Sequence, residues 1–187
     1  MRLDAELVRR GLARSRRRAA ELVSDGLVTV AGVTAVRPAH PVAPGDDVSV
    51  QAGPDFVSRG GHKLAGALAD LAELGTPVPV AGAHCLDAGA STGGVTGVLL
   101  MAGARHVDAV DVGHGQLATA LAEDPRVSAR EGVNVRDLGP EHLTGRPAVV
   151  VADLSFISLA LVLDRLVAVA APGAQLLVLV KPQFEVG

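Results

Sequence analysis

The residues able to do chemistry fall in three short segments. The first is Asp87-Ala-Gly-Ala-Ser-Thr-Gly-Gly94. Its glycines let a chain turn tightly and approach a ligand with no Cβ in the way. Ser91 stands where a GxGxxG fingerprint has its second glycine, and no Gly-Lys-Ser/Thr follows, so neither a dinucleotide turn nor a P-loop is written here. An acidic residue two positions before the first glycine would repel a diphosphate and suits a cationic, hydroxyl-bearing ligand better. S-adenosylmethionine has both features, and D/E-x-G-x-[GS]-x-G is the pattern of its binders. Asp87, Gly89, Ala90, Ser91, Thr92, Gly93 and Gly94 are therefore the candidate cofactor contacts. An ordinary glycine-rich strand–helix turn is the plain alternative.

The second and third segments are Ala152-Asp-Leu-Ser-Phe-Ile-Ser158 and Lys181-Pro-Gln-Phe184. Of the 17 basic residues only Lys63 and Lys181 are lysine, and the chain holds a single isoleucine, Ile157, and a single asparagine, Asn134. Composition this skewed toward Ala, Gly, Val and Arg is what a GC-rich genome produces. A lysine that survives it is expected to do what arginine cannot, namely give up its proton. Lys63, Asp153 and Lys181 form the candidate catalytic set: a second ammonium and a cationic ligand nearby both favour the neutral amine, which can act as base toward a weakly acidic hydroxyl. A structural ion pair between Asp153 and Lys181 is the alternative. Phe184 offers a flat face beside them, Asp111 is placed to take ribose hydroxyls, and Asn134 to read an adenine edge.

Elements that would position these residues follow from periodicity. Strand-like runs at Cys85–Ala88, Val107–Asp111, Val127–Arg130, Ala148–Asp153 and Leu176–Val180 alternate with helix-like runs at Val95–Ala102, Gln116–Ala122 and Leu159–Ala170, after a helix from Lys63 to Leu74. That alternation predicts an α/β, Rossmann-like parallel sheet, with ligands at the carboxyl ends of its strands. Before it, helical spacing of Leu3, Leu7 and Val8, a cap at Ser15, and β-type runs at Val28–Val30 and Val48–Val50 predict a small α+β head. Residues 1–51 are read as the head, 52–61 as a linker and 62–187 as the α/β domain.

Charge divides unevenly along the 187 residues, whose net charge is −3. The first 24 residues carry seven basic and three acidic side chains, a surplus of four. Arg9, Arg10, Arg14, Arg16, Arg17 and Arg18 suit phosphate contacts, with Arg14 and Arg18 expected on one helix face. One cysteine, Cys85, excludes a disulfide framework and a multi-cysteine zinc site, and the six histidines lack HxH or HxxxH spacing. They are read as surface or loop residues, and no metal site is expected. No secretory signal or membrane-length apolar run is seen, so a cytoplasmic setting is the default.

RLDAELVRRGLARSRRRAAELVSDGLVTVAG, followed by PVAPGDDV, resembles the RNA-binding domain named after ribosomal protein S four. SRGGHKL, CLDAGASTGG, DVGHGQL, VVADLSFISL and VKPQFEVG resemble, in order, the TlyA family of rRNA 2′-O-methyltransferases, some of them called hemolysins. The resemblance implies an FtsJ-like catalytic domain using S-adenosylmethionine, ribosomal RNA or ribosomal subunits as partner, and ribose 2′-O-methylation, cytidine being the expected nucleotide. It maps the family's Lys-Asp-Lys-Glu tetrad onto Lys63, Asp153 and Lys181, with Lys181 as base, Asp153 orienting it, and Lys63 positioning substrate or easing proton loss. The glutamate, on a later strand, has no match, and Glu185 belongs to KPQFE instead, so the chain reads as C-terminally truncated. An RNA-binding module with an inactive methyltransferase domain is the rival reading, and a membrane-lytic protein a more distant one.

Overall fold

The computed structural model describes residues 1–24, 26–50 and 56–185, and the chain forms two compact units, Met1–Asp55 and Phe56–Gly187. In the first, α1 (Leu3–Arg9) and α2 (Arg16–Ser24) pack Leu3, Leu7, Ala19, Leu22 and Val23 against Val28 of β1. Strands β1 (Val28–Val30), β2 (Val33–Thr34) and β3 (Val48–Val50) make an antiparallel sheet of order β2-β1-β3. Ser15 caps α2 by accepting the Arg18 N–H at 3.1 Å. The helix therefore starts at Arg16, and Arg14 lies outside it rather than sharing a face with Arg18.

Two carboxylates are buried in this head. Asp4 accepts from the guanidinium groups of Arg2 and Arg16, each at 3.0 Å, and Glu6 from those of Arg9 and Arg10, each at 2.6 Å. The arginines hold both carboxyls at about 2, chiefly through the Arg2 bond for Asp4 and the Arg9 bond for Glu6.

In the second unit, α3 (Arg59–Glu73) precedes five parallel strands: β4 (His84–Ala88), β5 (His106–Asp111), β6 (Val127–Glu131), β7 (Val149–Ala152) and β8 (Gln175–Val178), ordered β6-β5-β4-β7-β8. Side chains alternate across the sheet. Cys85, Val107, Val149 and Val151 face α3 and α4 (Gly94–Met101), while Leu86, Val110, Val150 and Ala152 face α6 (Leu163–Val169). Burial on both faces is why the central strands are mostly apolar, with Asp87 and Asp108 as buried exceptions. The order reverses between β4 and β7, so a crevice opens beyond their carboxyl ends.

Several expectations change. Of the linker read at 52–61, residues 52–55 lie outside the described residues. The remainder is structured, because Phe56 is buried in the core and α3 already begins at Arg59. The helix expected at Gln116–Ala122 shrinks to α5 (Thr119–Ala122), since Ala118 is extended (ψ 135°) and gives its N–H to the Thr92 carbonyl. The Leu159–Ala170 helix divides into a 3₁₀ turn, Leu159–Leu161, and α6, the break falling at Val162, whose φ of −126° is not helical. Nor are the histidines all surface or loop residues: His84 and His106 open β4 and β5, and His62 packs edge-on against Phe56 from within α3.

The depressed Asp4 and Glu6 values give the head a defined acid response. Their contribution is complete above the ordinary carboxylate range and is lost as pH falls toward 2. Loss of head amide signals in NMR between about pH 4 and pH 2 is the expected outcome. Glu6→Gln should weaken the head at neutral pH and blunt that acid loss.

Candidate active site

The glycine segment leaves β4 as a tight turn ending at α4. Gly89 has φ +92°, and a Cβ there would lie 3.0 Å from the Asp153 carbonyl oxygen, so only glycine lets this turn approach the end of β7. On the other side of the sheet α3 crosses α4 closely. A Cβ on Gly61 would come within 2.6 Å of Phe56 and 2.9 Å of the Gly94 carbonyl. That approach carries Lys63 to the crevice.

Asp153 follows β7, and Lys181 lies just beyond β8 at the start of α7 (Pro182–Glu185). Lys181 Nζ is 2.7 Å from Asp153 Oδ1, and Lys63 Nζ is 3.5 Å from Asp153 Oδ2. Lys181 Nζ also donates to Ser155 Oγ at 2.7 Å. Asp153 and Lys181 are largely shielded, their side chains 19% and 17% exposed, whereas Lys63 is half-exposed. The two loops are tied a second time by Glu185, which accepts from Ser158 Oγ at 2.7 Å and from the Leu159 N–H at 3.0 Å. These bonds, the backbone one foremost, hold its carboxyl below the usual range. Phe156 and Phe184 meet with ring centroids 5.3 Å apart. Phe156 is 89% exposed and has φ +63°, a costly conformation for a bulky residue and one that marks functional sites.

Beside this triad lies a cavity of about 530 Å³, lined by Gly89, Ser91, Asp111 and Asn134 and reaching Asp153, Ser155 and Phe156. Its volume suits a small-molecule ligand. Asp111 accepts the Ser91 N–H at 2.8 Å through Oδ2 and the Gly113 N–H at 2.7 Å through Oδ1. A carboxylate offers about four acceptor positions, so two remain for hydroxyl groups. Asn134 accepts the Arg136 N–H through its amide oxygen, which caps a short turn and fixes its side chain at the cavity wall.

Other members of the segment stand behind the wall. The Ala90 N–H bonds to the Val110 carbonyl, Thr92 receives the Ala118 N–H on its carbonyl, and Gly93 and Gly94 form the start of α4. Asp87 lies within β4 with no exposed surface. Its Oδ2 accepts from Thr96 Oγ1 at 2.6 Å and its Oδ1 has no hydrogen-bond partner among the described residues. Burial foremost, with Asp111 and Asp153 adding to it, pushes its carboxyl up to about 7. Ser155 and Gln116 were not singled out from the sequence. The signal for Ser155 was its place two residues after Asp153; none marked Gln116.

A five-stranded parallel sheet of this order, with a glycine turn after its first strand and a crevice at the strand ends, defines the Rossmann-like α/β class. Residues 56–187 match the family described as FtsJ-like methyltransferase, and residues 1–48 match the S4 domain. The chain is 56% identical, over its whole length and 68% of the relative's, to the 16S/23S rRNA (cytidine-2′-O)-methyltransferase TlyA of Mycobacterium tuberculosis. It is 37% identical to Hemolysin A of Brachyspira hyodysenteriae, over 99% of this chain and 75% of that one. A solved hemolysin structure from Streptococcus thermophilus superposes with a TM-score of 0.69 at 39% identity, covering all of this chain and 68% of that one. The chain belongs to the FtsJ-like methyltransferase family, in its TlyA group. Among the described residues no helix is long and apolar enough to cross a membrane.

Asp87 gives the second unit its own pH response. The folded chain titrates it near 7 and the unfolded chain near the ordinary value of about 4, so the native state holds the extra proton between them. Stability should fall as pH rises through that window. Asp87→Asn keeps the Thr96 bond without the charge. Urea unfolding at about pH 5 and about pH 8 should show a flatter response and a more stable variant at the higher pH.

Proposed function

We propose that the chain methylates the ribose 2′-hydroxyl of ribosomal RNA, cytidine being the nucleotide, with Lys181 as the base. The observation that carries this reading is the Asp153 carboxylate held between Lys181 and Lys63 at the mouth of the cavity. S-adenosylmethionine, when bound, supplies a sulfonium methyl group. Gly89, Ser91, Asp111 and Asn134 would hold it, Asp111 through the acceptor capacity left for ribose hydroxyls. Asp87, Ala90, Thr92, Gly93 and Gly94 would act from behind by shaping the turn.

Lys181 Nζ is engaged by Asp153 and Ser155, which leaves its remaining direction for the substrate hydroxyl. As the hydroxyl proton passes to Nζ, Asp153 stabilises the ammonium that forms, and Lys63 keeps the carboxylate from being fully committed to one partner. A hydroxyl oxygen relieved of its proton beside a bound cationic methyl donor would lose charge on transfer, and the shielded setting of Asp153 and Lys181 would favour that. Exposed Phe156, braced on Phe184, offers a stacking surface for a base turned out of its helix.

In the head, Arg9, Arg10 and Arg16 are occupied by buried carboxylates, and Arg18 has its side chain largely covered near Glu21. Arg17 keeps 89% of its side chain exposed beside Glu21, and Arg14 is exposed without an ion pair among the described residues. Arg14 and Arg17 are the phosphate contacts we favour from the original six.

Two measurements test this reading. In the complete gene product, Lys181→Ala should lower methyl transfer by about 10²–10⁴-fold while calorimetry shows unchanged S-adenosylmethionine affinity. Lys181→Arg should not restore transfer, because guanidinium keeps its proton. Loss of cofactor binding in these variants would make the lysine structural. Separately, Arg14→Ala and Arg17→Ala should each flatten the salt dependence of binding to an rRNA fragment by about 0.7–0.9 in log–log slope. Fluorescence anisotropy across a salt series reads this, and unchanged slopes would remove both from the interface.

A further inference from the structure

A second cluster lies at the opposite end of the sheet. His84 and His106 are the first residues of β4 and β5 and are direct register partners, and Asp108 follows His106 by two on the same face of β5. Both imidazoles turn Nε2 toward one carboxylate. His84 Nε2 is 2.7 Å from Asp108 Oδ2, and His106 Nε2 is 3.7 Å from Asp108 Oδ1. The rings stand edge-to-face with centroids 5.2 Å apart. Asp108 is wholly buried, while the His84 and His106 side chains are 10% and 24% exposed, so the cluster has a fixed floor and an opening to solvent.

Hydroxyl groups complete the surroundings. Thr144 donates its N–H to Asp108 Oδ2 at 3.0 Å, and its Oγ1 lies 3.1 Å from Oδ1 and 3.3 Å from His84 Nε2. Ser128 Oγ lies 3.1 Å from His106 Nε2. Methyl transfer uses none of these groups. They sit at the amino ends of the strands, on the order of 15 Å from the crevice at about 3.3 Å per strand residue.

We infer that His84, His106 and Asp108 form a binding site for a zinc-class divalent transition-metal ion. Two imidazole nitrogens and a carboxylate oxygen are the donor set such ions prefer, and three protein ligands leave one position for water. Tetrahedral ligands at about 2.0–2.2 Å from an ion stand about 3.3 Å apart. The observed separations, 2.7 Å to Oδ2 and 3.7 Å to Oδ1, bracket that spacing but reach different oxygens, so an ion would enter with small rotations of the His84 ring and of the carboxylate. Each imidazole binds in its neutral form with the proton on Nδ1, and the Thr144 N–H keeps the carboxylate aimed. An ion there would join β4, β5 and the Thr144 loop, acting on stability and not on chemistry.

The test uses tag-free chain stripped with chelator and titrated with Zn²⁺ by calorimetry, alongside thermal unfolding. One ion per chain and a raised unfolding temperature are expected, with Co²⁺ giving the strong visible absorption of a tetrahedral site. Mg²⁺ should give none of these, since it demands oxygen ligands in octahedral array. His106→Gln and His84→Gln should each weaken Zn²⁺ binding at least tenfold. His106, the more exposed, is the variant to rely on should His84→Gln unfold. Absence of stoichiometric uptake, an equal response to Mg²⁺, or undiminished uptake by His106→Gln would each overturn the site.

Discussion

One carboxylate organises the crevice. Asp153 stands between two lysine amines, at 2.7 Å from Lys181 and 3.5 Å from Lys63, and each partner arrives from a different part of the unit. Lys63 comes on a helix before the sheet, Asp153 at the end of β7, and Lys181 beyond β8. Three shielded or half-shielded charges so close are costly unless they satisfy one another. Their arrangement requires the parallel strand ends to be level and α3 to press against α4. The close glycine contacts at Gly61 and Gly89 are what that requirement looks like in covalent terms. The rest of the unit can be read as the frame that keeps this carboxylate in place.

The frame is reinforced on the crevice side. Ser155 shares Lys181 with Asp153, Glu185 ties the loop after β8 to the loop after β7, and the Phe156–Phe184 contact closes the same two loops from outside. Three different interactions thus hold one pair of loops, which explains how Phe156 can remain in a left-handed conformation while almost entirely exposed. Behind the glycine turn, Asp87 plays a different part. Wholly buried and bonded to Thr96, it supports the turn from below at a cost that grows as it ionises. The head applies the opposite economy: its buried Asp4 and Glu6 are satisfied by arginines, so part of what reads as a basic surface is charge that neutralises buried carboxylates.

How much was legible beforehand differs by residue. Asp153 and the two lysines could be chosen because composition made lysine rare and strand ends place side chains at a crevice; the observed triad is that set. The central strands β4, β5 and β7 were legible because burial on both faces marks most of their residues, whereas β6 and β8 at the sheet edges carry a weaker signal. The arginines were legible as a cluster but not as partners: Glu6 is spaced to meet Arg9 and Arg10 on its own helix, yet spacing does not show that it is buried, and Asp4 meets Arg16 from another helix. The histidines misled for a related reason. Spacing along the chain cannot reveal that His84 and His106, 22 positions apart, become neighbours when β4 and β5 pair in register.

By itself, then, the sequence determined the alternation of strands and helices, the glycine turn, and the identity of the three charged groups, all of which follow from local pattern and residue chemistry. Only the tertiary structure decided which oxygen faces which amine, that Asp87 turns inward while Asp111 faces the cavity, and that Glu185 serves as a tie between loops. Those outcomes depend on the strand order and on contacts between segments remote in the chain, and no local window carries that information.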